Sequence, residues 1–369
     1  MEKILFAATV DNHIRSFHLP YLKWFKEQGY EVHVASNGGS DIPYTDKKFE
    51  IPFERSPFKL ANINAYKQLR RLIDNNDYKL IHCHTPMGGA ITRLAARQAR
   101  KKGTIVFYTA HGFHFYKGAS LINWILYYTT EKYLASKYTD VLITINKEDY
   151  QRATKFNVFS VLVPGVGVNV DKFSPEPKED KRQLRLKYNY REEDFILFYA
   201  AELNHNKHQD LLINAVGLLK DKIPKIKLLL GGSGDLEAHY KKQVEELELK
   251  EYIEFLGFRN DIPNLLKISD VAVSSSRREG LPVNVMEAMA TGLPLVVTNS
   301  RGNRDLVTNS ENGYVIELDD VEGFANAIGL VHESEELRNK FAEKNLERIK
   351  LYSLDQAVRV MEAIYSKYL

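Results

Sequence analysis

Short apolar segments that read as buried strands alternate with helix-forming segments along the chain, and the alternation stops and restarts once. This feature restricts the fold more than any other. Strand–helix–strand repeats bury both faces of a parallel sheet under helices, which predicts a doubly wound α/β architecture. The first series has KILFAATV at 3–10, then a polar turn and a helix ending at Gly29. Strands at 31–36, KLIHCH up to His84, 104–110, 140–145 and 160–164 follow, with helices expected over 87–101 and 120–137. A turn-rich, proline-bearing stretch at 166–180 interrupts the pattern and reads as a linker. The second series has strands at 195–201, 227–231, 252–256, 270–274, 294–298 and 313–317. Residues 334–369 read as helices alone. Two domains are therefore expected, residues 1–168 and 169–353. Sheets of this kind take ligands at the carboxyl ends of their strands.

A chain of 369 residues is long for one core and natural for two. No apolar run reaches the roughly 18 residues of a membrane span, and MEKILFAATV turns polar too soon for a signal peptide, so it reads as a first strand. The single cysteine, Cys83, excludes an internal disulfide and fits a reducing compartment. Net charge is +3 but uneven. Residues 1–170 hold 23 lysines and arginines against 14 acidic residues, and residues 171–369 hold 28 against 34. The basic half suggests an anionic partner: a membrane surface, a phosphorylated acceptor or nucleic acid. No nucleic-acid-binding module is recognisable.

The stretch Ser274–Gly292, SSSRREGLPVNVMEAMATG, reads as strand end, loop and helix, with Pro282 at the helix start. Glu279 lies in the loop and Glu287 about one turn inside the helix. Between them the backbone of Gly280, Leu281, Pro282 and Val283 leads into a helix N-terminus, whose unpaired N–H groups (Pro282 has none) suit an anion. Two carboxylates flanking an anion site match a diphosphate with a polyol on either side. The same spacing also suits a capped amphipathic helix with two solvated glutamates.

Glu279 and Glu287, with Gly280-Leu281-Pro282 and Ala288-Met289-Ala290, resemble the E-x7-E motif of family 4 glycosyltransferases. The resemblance runs through almost the whole chain and is nearest to capsule and exopolysaccharide enzymes. It implies the GT-B fold: two Rossmann-like domains facing a cleft, with the last helix, 354–369, packing back on the first domain. It implies that Glu279 meets donor-sugar hydroxyls and that Glu287 binds the ribose. Within AAELNHNKHQ, 200–209, Lys207 and Asn206 fall on the donor side, with Lys207 a point charge for phosphate. Glu202 stands where the family usually has arginine; it either points elsewhere or pairs with Lys207, and Arg259 or Arg278 would supply the missing charge. Gly232, in the loop Gly231–Asp235, resembles the glycine-rich loop near the nucleotide. His111 resembles the histidine that faces the donor from the first domain, although a core or surface histidine would look the same. Asp11, His13 and Arg15 are candidates for the acceptor, where the family often has a glycine pair instead of Asn12-His13.

No Asp-x-Asp triplet and no His/Cys set at metal spacing occurs. No cofactor and no metal are expected; helix N-termini, lysine and arginine would meet the donor's charge. The resemblance implies a retaining transferase using a nucleoside diphosphate sugar, UDP-linked by family habit. Its acceptor would be a glycan on a polyprenyl diphosphate. A GT-B sugar-nucleotide epimerase and a non-catalytic binder remain alternatives. The expected place is the cytoplasm, peripherally at the inner face of the plasma membrane. Arg93, Arg97, Arg100, Lys101 and Lys102 on one helix, and LINWILYY at 121–128 on another, are the expected membrane contacts.

Overall fold

A computed structural model describes residues 1–369. The chain forms two compact units, Met1–Val166 with Ala357–Leu369, and Gly167–Gln356. The first unit contains seven strands: β1 (Lys3–Val10), β2 (Glu31–Asn37), β3 (Lys47–Glu50), β4 (Tyr78–His84), β5 (Ile105–Ala110), β6 (Val141–Thr144) and β7 (Phe159–Leu162). They form one parallel sheet in the order β3-β2-β1-β4-β5-β6-β7. The second unit contains β8 (Phe195–Ala200), β9 (Ile226–Gly231), β10 (Ile253–Gly257), β11 (Val271–Ser274), β12 (Leu295–Thr298) and β13 (Gly313–Ile316). Their order is β10-β9-β8-β11-β12-β13, again all parallel. The central strands are buried on both faces, which is why FILFYA and KLIHCH read as continuous runs rather than alternating ones.

In each sheet the winding reverses once: between β1 and β4, and between β8 and β11. At such a point neighbouring loops diverge and leave a crevice at the strand ends. Both crevices hold the polar motifs described below.

Four local expectations change. Residues 11–17 are a helix, not a turn, so Arg15 lies in its last turn. Lys47–Glu50, KKFE, is an edge strand; lacking an apolar run, it carries no readable strand signal. The helix expected over 87–101 breaks at Ala96 into Pro86–Ala95 and Arg97–Lys101. The helix expected over 120–137 includes a π-helical segment, Trp124–Tyr128.

The final helix, Leu354–Tyr365, crosses from the second unit's residues into the first unit's. Tyr365 is fully buried and its hydroxyl shares a 2.7 Å hydrogen bond with His82 Nδ1. Its ring stacks on Phe107 at 5.8 Å and Trp24 at 5.7 Å. No helix is long and apolar enough to cross a membrane.

Candidate active site

In the second unit the β8 and β11 loops meet at the switch point. Lys207 Nζ lies 2.5 Å from Glu279 Oε1. Burial alone would lower the lysine's pKa, but the Glu279 carboxylate and the Tyr199 hydroxyl outweigh it and raise the value, so Lys207 stays charged. The expected alternative of a Glu202–Lys207 pair is therefore replaced by Glu279. Backbone and side-chain bonds fix both loops. Arg277 N–H donates to the Asn206 carbonyl at 2.8 Å, Asn206 Nδ2 donates to the Arg278 carbonyl at 3.0 Å, and Ser275 Oγ donates to the Lys207 carbonyl at 2.7 Å. Asn206 thus ties one loop to the other.

The helix Val283–Ala290 starts at Pro282 with no side-chain cap. Its first-turn amides have no intrahelical acceptors. Asn284 Nδ2 donates to the Ala200 carbonyl at 3.0 Å and anchors that turn to the end of β8. Leu281 is buried and Val283 half-buried. Gly302 packs against the Gly280 carbonyl so closely that a Cβ would overlap it. Glu287 lines a cavity with Phe198, Ile262, Leu266, Val273 and Val297. Burial in this apolar wall raises its pKa to about 7, against a small opposing effect of Lys172.

Two other donor-side candidates are engaged. Gly232 has φ +146°, its N–H donates to the Gly257 carbonyl at 2.8 Å, and a Cβ would overlap the Ala201 carbonyl. Glycine is thus required at the end of β9 for packing between loops. Arg259 binds Asp261 through Nε at 2.8 Å and Nη2 at 2.5 Å, so its charge is neutralised locally. Arg301 was not singled out in the sequence. It is buried, and its Nε donates to the Glu279 carbonyl at 2.9 Å. No motif marks it; only the fold places a cation behind that loop.

In the first unit the switch point gathers histidines. His13 Nε2 and His111 Nε2 lie 3.2 Å apart. His18 and His84 stack with ring centroids 3.7 Å apart, and neither ring nitrogen of either has a partner. The ligand nitrogens of His13, His18, His84 and His111 all fall within 4.8 Å of one another. Sequence spacing did not show this group, because its members come from the ends of β1, β4 and β5. Burial lowers the pKa of His13 to about 4 and those of His18, His84 and His111 well below the usual value. All four rings are neutral at pH 7, able to donate or accept one hydrogen bond or to ligate a soft cation, but not to neutralise a phosphate.

Asp11 does not reach toward a ligand. Its Oδ1 accepts from Ser36 Oγ at 2.6 Å, and its Oδ2 accepts from Ser40 N–H at 2.8 Å and Lys48 Nζ at 2.7 Å. It ties β1 to the end of β2. Arg15 is exposed. The basic stripe is also corrected. Arg93 is fully buried, grips Glu131 through Nη1 at 2.6 Å and Nη2 at 3.0 Å, and lies 3.8 Å from the Tyr108 ring centre. Arg100 pairs with Asp140. Lys101 and Lys102 remain exposed; exposed with them in this unit are the apolar Leu121 at 80%, Ile122 at 73% and Ile125 at 70%, with Phe58 at 84%.

Two doubly wound parallel sheets, the second with a lysine–carboxylate pair beside an uncapped helix start, make up an α/β protein with a polar site at its strand ends. Residues 3–163 match the family model for glycosyl transferase 4-like proteins, and residues 180–348 that for glycosyl transferases group 1. The chain is 48% identical to EpsD of Bacillus subtilis (strain 168), over 100% of this chain and 97% of that one; EpsD is named as a glycosyltransferase with no donor or acceptor specified. It is 32% identical, over 88% of this chain and 89% of the relative, to the UDP-Gal:alpha-D-GlcNAc-diphosphoundecaprenol alpha-1,3-galactosyltransferase of Escherichia coli. The crystal structure of Anabaena Alr3699/HepE in complex with UDP superposes with a TM-score of 0.80 at 17% identity, covering all of both chains. The chain belongs to the family 4 glycosyltransferases.

Proposed function

We propose that this glycosyltransferase moves a sugar from a UDP-sugar to a hydroxyl of a glycan on a polyprenyl diphosphate, with retention and without a metal. The process would be exopolysaccharide or capsule assembly. The observation that carries the reading is the Lys207–Glu279 pair at the β8/β11 switch point, beside the uncapped helix that bears Glu287. Lys207 and the first-turn amides receive the diphosphate, Glu279 a donor-sugar hydroxyl and Glu287 the ribose. The acceptor hydroxyl attacks the anomeric carbon as the bond to the diphosphate breaks, and its proton passes to the departing phosphate oxygen. Neutral His111 serves as a hydrogen-bond partner and not as a cation. The relative named for a UDP-Gal donor and a diphosphoundecaprenol acceptor supports both substrate classes.

The test is a transfer assay with a panel of UDP-sugars and polyprenyl-diphosphate-linked sugars, with and without EDTA. We expect UDP release that depends on acceptor and survives EDTA, because Lys207 and the helix start supply the counter-charge. Loss of activity in EDTA, restored by magnesium or manganese, would contradict metal independence.

Membrane attachment is the second part of the proposal. Each exposed aliphatic side chain buried in lipid gains about 1.5–3 kcal/mol. Leu121, Ile122 and Ile125 therefore suffice for reversible attachment beside a unit of net positive charge. Replacing all three with serine should abolish co-sedimentation with anionic vesicles at low salt. Unchanged recovery of that variant would remove this face from consideration.

A further inference from the structure

We propose that the first unit holds one transition-metal ion, zinc by preference, between the imidazoles of His13, His18, His84 and His111. The ion pins the ends of β4 and β5 to the helix that follows β1. This goes beyond the transferase reading. Four imidazoles complete a tetrahedral shell, so the ion has no open position and takes no part in transfer. His111 keeps its second ring nitrogen for a hydrogen bond.

Strand order brings the four rings together. β4 lies between β1 and β5. His84 is the last residue of β4, and His111 directly follows β5. His13 lies in the helix Asp11–Phe17, and His18 forms the break between that helix and Leu19–Glu27. The four ligand nitrogens lie within 4.8 Å of one another, and His13 Nε2 is 3.2 Å from His111 Nε2. Two nitrogens bound to one zinc at about 2.0–2.1 Å are about 3.3 Å apart in a tetrahedron. The His13–His111 pair is therefore already at the coordinating separation. The widest pair must close by about 1.5 Å.

Packing alone does not account for this group. His18 and His84 are buried, and both ring nitrogens of each lack a hydrogen-bond partner. Buried polar atoms are nearly always paired, so orphans gathered in one stacked pair call for a ligand. His82, two positions before His84 on β4, shows the ordinary solution. Its Nδ1 meets the Tyr365 hydroxyl at 2.7 Å and its Nε2 the Thr109 hydroxyl at 2.8 Å, which excludes it from the set. A bound cation takes the lone pair of one nitrogen in each of the four rings. The ligand type selects the ion: imidazole suits zinc, copper and nickel, and a tetrahedral set favours zinc. No carboxylate joins the group, which disfavours magnesium, manganese and calcium. His13 and His111 are half-buried, so the cation enters from their side.

The experiment is titration of the full chain, purified without a histidine tag and freed of metal by a chelator, with zinc chloride. One zinc per chain is expected, with a rise in melting temperature and no competition from magnesium chloride. Zinc K-edge X-ray absorption of the loaded wild-type protein should show four nitrogen neighbours at about 2.0–2.1 Å. His18→Phe and His84→Phe each remove a ligand and should weaken zinc binding at least about 100-fold, since losing a partner of a ligand already costs up to that much. His239→Gln, at an exposed histidine of the second unit, should bind zinc like the wild type. Absence of stoichiometric zinc, an oxygen-rich shell in the absorption spectrum, or unchanged affinity in His84→Phe overturns the site. The absorption measurement needs no variant, so it decides even if His84→Phe does not fold. Zinc bound by four nitrogens, with transfer lost in EDTA and restored by magnesium, leaves this site standing and removes metal independence. No zinc binding with transfer that survives EDTA does the reverse.

Discussion

Glu279→Ala is expected to lower kcat/KM for transfer by about 10- to 150-fold, the equivalent of one charge-assisted hydrogen bond of about 1.5–3 kcal/mol. The substitution removes the acceptor for a donor hydroxyl and leaves Lys207 without its 2.5 Å partner. A Lys207 freed from Glu279 would hold the diphosphate more loosely positioned, so the loss should appear in kcat as well as KM. Lys207→Ala leaves the Glu279 carboxylate unpaired beside a diphosphate and should be at least as damaging. The double variant should lose less than the sum of the two, since the pair acts as a unit. Steady-state kinetics on the three proteins, with thermal melts to check folding, decides the matter. Wild-type turnover in Glu279→Ala would sink the assignment.

Glu287→Gln should change how stability depends on pH. The carboxyl's pKa is raised from the ordinary 4.5 to about 7 in the folded protein. Between those values the folded state holds a proton that the unfolded chain has released, so stability falls as pH rises from 4.5 to 7 and levels off above. The full effect is about 3 kcal/mol. Glu287→Gln should lose that slope and be more stable than the wild type at pH 8, while the two converge near pH 4. If Glu287 binds the ribose as a carboxylate, UDP affinity should rise through pH 7 in the wild type and stay flat in the variant. Denaturant midpoints and UDP titrations at pH 5, 7 and 8 test both. Parallel stability curves for the two proteins would show that Glu287 is solvated and not held in its apolar wall.

The carboxylate pair was readable in the sequence because both residues belong to one strand–loop–helix segment. They lie eight positions apart, Glu279 in the loop and Glu287 in the helix Val283–Ala290 that follows it, so the motif is visible without the rest of the chain. The strand series was readable for a related reason. Central parallel strands are buried on both faces, and that burial writes long apolar runs into the sequence. The edge strand Lys47–Glu50 has little burial and left no such trace.

The partners of these residues were not readable. Lys207 stood out as a cation, but its pairing with Glu279 instead of Glu202 depends on β8 lying beside β11. Arg93 looked like part of a basic surface, since spacing on a helix shows which residues share a face and not what that face meets. It is buried because Glu131, thirty-eight positions away, comes within 2.6 Å. Asp11 looked available and is consumed by Ser36, Ser40 and Lys48. The four-histidine group is assembled from three strand ends and has no local signature. The sequence by itself determined the α/β class, the strand–loop–helix around Glu279 and the types of residue at the strand ends, because backbone preference and burial periodicity act over a few residues. The tertiary structure alone decided which charges are neutralised and which remain to meet a ligand. Ion pairs and desolvation act through space, between groups that strand order brings within a few ångströms.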